Sequence, residues 1–163
     1  MNVFANGKLK RIDVAGGSAQ AICDAPSNYS GAWSHDGTII FSREVASGLY
    51  RVTAAGGTAI QLTTVDAAHN EIEHTWPYFL PDGRHFLFLV RNAQPENSAI
   101  YVGTLDSKET TPLLKVHSSM AYAPPGYLLF VRENTLMAQG FDADTYCSLT
   151  PSVQLIRFSP FKE

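Results

Sequence analysis

The chain is 163 residues long, 45% hydrophobic and 17% charged, an ordinary globular composition with enough apolar side chains for one domain with a real core, which argues against disorder. Its net charge of −3, without any block of lysine or arginine, leaves no electrostatic footprint for nucleic acid or for an anionic membrane surface, so both are excluded as expected partners. No run approaches the roughly 18 consecutive apolar residues of a membrane helix, and Met1 to Lys10 has no apolar leader core, so the chain as written is expected not to insert in a membrane and to stay in the cytosol.

Taken from the N-terminus, Asn2 to Ala5 reads as a strand. Leu9-Lys10-Arg11-Ile12-Asp13-Val14-Ala15-Gly16-Gly17 follows and is echoed forty residues later by Leu49-Tyr50-Arg51-Val52-Thr53-Ala54-Ala55-Gly56-Gly57. Each glycine pair marks a hairpin, before outer strands at Ala19 to Cys23 and Ala59 to Thr63. A second motif begins at Trp33-Ser34-His35-Asp36-Gly37, with an apolar run Ile39 to Phe41 and a closing Arg43. It returns as Trp76-Pro77-Tyr78-Phe79-Leu80-Pro81-Asp82-Gly83, with Phe86 to Val90 and Arg91. The third instance carries Pro124-Pro125-Gly126 in place of Asp-Gly, then Tyr127 to Val131 and Arg132.

Asp-Gly readily takes the positive φ angles of a tight turn, so Asp36-Gly37 and Asp82-Gly83 are each expected to join two antiparallel strands. The strands after them are apolar at consecutive positions, whereas a strand with one wet face would alternate. Both faces must therefore be covered. A period of 40 to 46 residues with two-sided strands predicts an all-β fold, a β-propeller of four-stranded antiparallel blades. The expected organisation is a single propeller segment: a partial blade over residues 2–25 that lacks its inner strand, then blades over about 30–65, 72–116 and 118–158.

Trp33-Ser34-His35-Asp36-Gly37 and Leu80-Pro81-Asp82-Gly83 resemble the Trp-Ser-Pro-Asp-Gly signature of TolB-like, WD-repeat-like β-propellers. The run from Trp76 to Asp142 also resembles the C-terminal propeller of bacterial receptor-type serine/threonine protein kinases. That resemblance implies a ring of about six or more blades, placed outside the cytoplasmic membrane in a membrane-anchored parent protein. This chain carries fewer blades. Where the resemblance implies a Gly-Glu-Pro-Val-like outer strand after Leu149, it has Thr150-Pro151-Ser152-Val153-Gln154-Leu155.

No catalytic residues emerge. The chain lacks the glycine-rich loop, phosphate-binding lysine and Asp-Phe-Gly of a kinase, and it lacks the Gly-x-Ser-x-Gly elbow of a serine hydrolase. Cys23 and Cys147 stand alone, far from metal spacing. The densest titratable segment is His69-Asn70-Glu71-Ile72-Glu73-His74; extended, it would point His69, Glu71 and Glu73 one way and His74 the other. Its spacing matches no metal motif, and neither a metal nor another cofactor is expected. Arg43, Arg91 and Arg132 occupy equivalent repeat positions and could present planar donors to a carboxylate or phosphate around one end of the ring, unless Glu44 and Glu133 neutralise them. Trp33, Trp76, Tyr50, Tyr101 and Tyr122 are expected in the packing between blades.

The candidate ligand-binding residues are thus Arg43, Arg91, Arg132, His69 and His74, in a non-catalytic module that binds a protein, peptide or small molecule and is related to the sensor region of a signalling kinase. The rival expectations are an accessory, substrate-gating propeller of a serine hydrolase and a free-standing scaffold. The open inner edge of the first blade invites a further strand, and Arg157-Phe158-Ser159-Pro160 resembles the start of an inner strand; filling the gap within one chain would close a ring of four blades, and the favoured expectation is instead a homo-oligomer through strand exchange between chains, or an open arc that associates.

Overall fold

A computed structural model of the chain describes residues 2–13, 15–26, 30–148 and 152–157. Their strands form four antiparallel sheets in chain order. The first holds β1 (Asn2–Ala5), β2 (Lys8–Arg11) and β3 (Gln20–Asp24). The second holds β4 (Gly31–Trp33), β5 (Thr38–Ser42), β6 (Leu49–Thr53) and β7 (Ile60–Gln61). The third holds β8 (Glu71–Phe79), β9 (His85–Asn92), β10 (Ala99–Thr104) and β11 (Thr110–Lys115). In the fourth, β12 (Met120–Ala123), β13 (Tyr127–Arg132) and β14 (Thr135–Asp142) are followed by β15 (Cys147–Ser148) and β16 (Val153–Arg157), which pair with opposite halves of β14. The helices among the described residues are two single 3₁₀ turns, Ala67–His69 and Pro95–Asn97.

Because the β2 sequence echoes β6, the third strand of its sheet, the first sheet consists of second, third and fourth strands and, among the described residues, has no inner one. Arg157 does not approach that gap. It pairs with Thr135 on the outer edge of the fourth sheet, and Phe158 to Pro160 lie outside the described residues.

The consecutive apolar runs are explained by the packing. Ile39 and Phe41 join Leu9, Ile22 and Val52 between the first and second sheets. Their neighbour Ile40 points the opposite way, joining Leu49, Leu62, Phe86, Phe88 and Val90 between the second and third. Leu87, from the other face of β9, packs with Ile100, Val102, Leu128, Phe130 and Phe141 between the third and fourth. Alternation with period two is present, but both sides of the alternation are cores. Each fully buried large side chain contributes about 1.5–3 kcal/mol.

The Asp-Gly turns form at both sites, by a different device from the one the residue pair suggests. Gly37 (φ 89°) and Gly83 (φ 66°) take positive φ, while Asp36 and Asp82 do not. Their carboxylates instead accept backbone N–H groups, Thr38 at 2.9 Å for Asp36 and both Arg84 and His85 at 3.0 Å for Asp82. Aspartate side chains favour such local turns. The loops also differ in length: Ser34 N–H bonds to Thr38 O, whereas Leu80 N–H bonds to His85 O, one residue further on.

Polar clasps tie the sheets together. Arg11, in β2, donates to the Ala54 carbonyl of the second sheet at 3.1 Å, and its repeat equivalent Arg51, in β6, donates to the Leu105 carbonyl beyond β10 at 2.9 Å. At the third boundary tyrosines take over: Tyr78 donates to the Tyr122 carbonyl at 3.1 Å, and the Tyr146 hydroxyl lies 2.8 Å from His85 Nδ1.

Candidate functional site

The segment from Asp66 to His74 crosses from the second sheet to the third at the end of the sheets away from the Asp-Gly turns. Asp66 caps the first 3₁₀ turn, accepting the Ala68 N–H at 3.0 Å and holding His69 Nδ1 at 2.6 Å. Asn70, at φ 60°, then turns the chain into β8. That hydrogen bond draws the Asp66 carboxyl below its ordinary range and raises the His69 imidazole.

His74 is enclosed, only 4% exposed. The Thr63 hydroxyl lies 2.7 Å from its Nδ1, and the Thr63 oxygen already accepts the Leu49 N–H at 2.8 Å. Because the Glu71 carboxylate can only accept, Nε2 carries the proton donated to its Oε2 at 3.1 Å, and with the imidazole neutral Nδ1 accepts the Thr63 hydroxyl proton. This is the neutral tautomer, and burial holds His74 below the ordinary histidine value while Glu71 pulls the other way. Glu71 also accepts the Asp66 N–H at 2.7 Å, so one carboxylate secures both ends of the crossing. An uninterrupted strand would have placed Glu71 and His74 on opposite faces. The register shift between Glu71 and Glu73 turns them together.

Beside this network opens a cavity of about 350 Å³ lined by Asp66, His69, Glu71, Asn92, Asn97 and Tyr101, together with Val90. Asn92 is oriented by the His69 carbonyl at 2.8 Å. Burial, with Glu71 nearby, raises the Tyr101 phenol. The lining offers carboxylate acceptors, amides and a phenol to a polar ligand. Among the described residues no three His, Cys, Asp or Glu side chains converge as metal ligands.

The three arginines stand at the corresponding ends of β5, β9 and β13, yet each is engaged separately. Arg43 lies 3.6 Å from Glu44, with its guanidinium over the Tyr50 ring, and lines a small cavity with Cys23 and Asp24. Arg91 is paired with Glu73 on the adjacent strand. Arg132 stacks on Phe130 and donates to the Lys115 carbonyl at 3.4 Å. Of the five candidate residues, the structure brings His69 and His74 together through Asp66 and Glu71, and it leaves the arginines in separate surroundings.

Trp76 departs from the packing expected of it. It is 38% exposed and at φ 49°, within a bulge of β8, with its backbone N–H donated to the Ser30 hydroxyl at 2.8 Å. Trp33, Tyr50, Tyr101 and Tyr122 do pack in or against the cores. Arg11 and Arg51 were legible in the forty-residue echo itself, which repeats them at one position. Thr63 and Asn97 carry no comparable signal.

No protein-family profile matches the chain, and no curated protein matches it. Solved structures do. A protein described as TolB from Agrobacterium tumefaciens is 23% identical, with a TM-score of 0.67 over 88% of this chain and 54% of its own. TolB from Acinetobacter baumannii is 13% identical, with a TM-score of 0.64 over 88% of this chain and 37% of its own. An oligogalacturonate lyase in complex with manganese is 15% identical, with a TM-score of 0.68 over 92% of this chain and 42% of its own. The chain thus spans about half or less of each of these proteins, and what the likeness establishes is the fold: a partial β-propeller of the TolB-like kind.

Proposed function

We propose that the chain is a non-catalytic recognition module, related to the sensing propeller of a bacterial signalling kinase, and that it binds a small polar ligand or a peptide side chain in the cleft between Asp66 and Tyr101. The observation that carries this reading is the division of labour around Glu71. On one side, polar groups converge on an open cavity. On the other, the histidine and hydroxyl that could act as base and nucleophile, His74 and Thr63, are 4% and 2% exposed and occupied with each other. Ligand sites typically combine a concave surface with a few convergent polar groups. Two carboxylates in the lining favour a ligand rich in hydrogen-bond donors, such as an amine or a polyol.

The test is a chemical-shift titration of the chain with amines, amino acids and short saccharides, repeated with Tyr101→Phe and Asn97→Ala. Shifts confined to the segment from Asp66 to Tyr101, weakened in both variants, are expected. Saturable binding elsewhere, or turnover of any of these compounds, overturns the proposal. The genomic neighbourhood tests the finer point: a kinase domain and membrane helix in the parent gene support the sensor, whereas a serine-hydrolase domain supports the accessory role.

A further inference from the structure

The described residues that line the cleft between Asp66 and Tyr101 include two carboxylates and neither lysine nor arginine. Glu71 is the more enclosed of the two, its side chain 14% exposed. Its Oε2 is occupied twice, by the Asp66 N–H at 2.7 Å and by His74 Nε2 at 3.1 Å, while Oε1 accepts no hydrogen bond among the described residues. A carboxylate withdrawn from water attracts a cation more strongly than a solvated one, and its open oxygen calls for a donor. The side-chain oxygens of Asn92, Asn97 and Tyr101 line the same cavity, and Val90 adds apolar surface. An ammonium group on a short stem matches this lining, with its positive charge and three N–H donors.

Each carboxylate is also bonded to a histidine. His69 Nδ1 lies 2.6 Å from Asp66 Oδ2, and His74 Nε2 lies 3.1 Å from Glu71 Oε2. The other groups against His74 are neutral: the Thr63 hydroxyl, the Phe88 ring and Ser42, which donates to its carbonyl. Of the charged groups nearby, Glu73 on β8 is paired with Arg91 on β9, and Glu96 lies with Lys115 in a separate cavity. We infer that the cleft takes a protonated amine and releases it in acid, because protons on His69 and His74 neutralise the two carboxylates that hold it. The inference rests on the cleft being the binding site, and adds the ligand class and its control. Asp66 raises the His69 imidazole and burial lowers that of His74, so the protons arrive in that order as pH falls. The His69 side chain is 81% exposed and its charge is screened, whereas the His74 charge is enclosed beside Glu71 and carries most of the effect. By reciprocity, a bound amine must lower the titration midpoints of both histidines.

Chemical-shift titrations of the intact chain with ethanolamine and with its uncharged counterpart ethylene glycol, at pH 8 and at pH 5, test this. Ethanolamine is expected to bind more tightly than ethylene glycol at pH 8, and about tenfold more weakly at pH 5 than at pH 8. Saturating ethanolamine is expected to lower the His74 midpoint, read from its ring protons, by about one pH unit, the equivalent of that tenfold change. His74→Gln is expected to remove most of the pH dependence, and His69→Gln a smaller part. Should His74→Gln lose its β-sheet circular dichroism, the midpoints in the parent protein and His69→Gln decide the matter. An ethanolamine affinity that is constant from pH 8 to pH 5, ethylene glycol binding as tightly as ethanolamine at pH 8, or histidine midpoints unmoved by the amine overturns the inference. The cleft survives these results as a binding site if either compound still shifts the resonances of the segment from Asp66 to Tyr101. If neither compound does, and the amino acids and saccharides also fail to, the binding site falls together with the inference.

Discussion

β5 and β13 are equivalent strands with nearly the same apolar content, and they have different fates. In β5 every residue from Ile39 to Ser42 is buried. In β13, Leu128 and Phe130 are buried while Tyr127 and Val131 face solvent. A continuous apolar run here therefore encodes two separate interfaces, and each is filled only where a neighbouring sheet arrives. The strand specifies what could cover it, not whether anything does.

Substitutions can break this contrast. Phe88 is fully buried between the second and third sheets, so Phe88→Ala is expected to destabilise by about 3–5 kcal/mol, against less than about 1 kcal/mol for Val131→Ala in the monomer. Urea denaturation of both variants checks this, and equal losses would mean that the face of β13 is covered. Gly83→Val should cost about 2–3 kcal/mol, because it combines a positive φ with obstruction: a Cβ there would lie 2.4 Å from the His35 ring. A melting temperature unchanged from the parent would remove Gly83 from the contact between the two turns.

The smallest effect expected is one of pH. His74 has a folded-state value depressed by burial, relative to an ordinary 6.5. Its contribution is therefore fully present above that value and is lost as pH falls through the depressed one. His69 is raised by Asp66; its contribution has the opposite sign and disappears as pH rises, but that side chain is fully solvated. Stability should thus decline from pH 7 to pH 5, before the aspartates titrate, and His74→Gln should flatten the decline. A parent protein equally stable across that window contradicts a neutral, buried His74.

The architecture was legible because the repeat states it twice, once in the glycine pairs after β2 and β6 and once in the Asp-Gly turns. The missing inner strand of the first sheet could be read from the same echo. The site was much less legible. Strand parity separated Glu71 from His74, and only the bulge in β8 reunites them. Equivalent positions suggested a shared arginine surface, but the partners of Arg43, Arg91 and Arg132 come from non-repeating residues: Glu44, Glu73 and the Lys115 carbonyl. Trp76 shows the same limit: strand register sets Phe79, opposite Phe86, where Trp33 stands opposite Ile39, so Trp76 falls three residues before the counterpart position, inside the bulge of β8.

Every substantial contact between described elements of different sheets joins adjacent sheets. The described sheets are therefore held together as a short line of coupled links, and their stability is a sum of sheet terms and boundary terms, as in other repeat architectures. A link in the middle can open only by breaking two boundaries, whereas an end link opens by breaking one. Amide protection should accordingly be greatest in β5 and β9 and should decay outward in both directions, so that the end sheets exchange with solvent while the centre of the line remains closed.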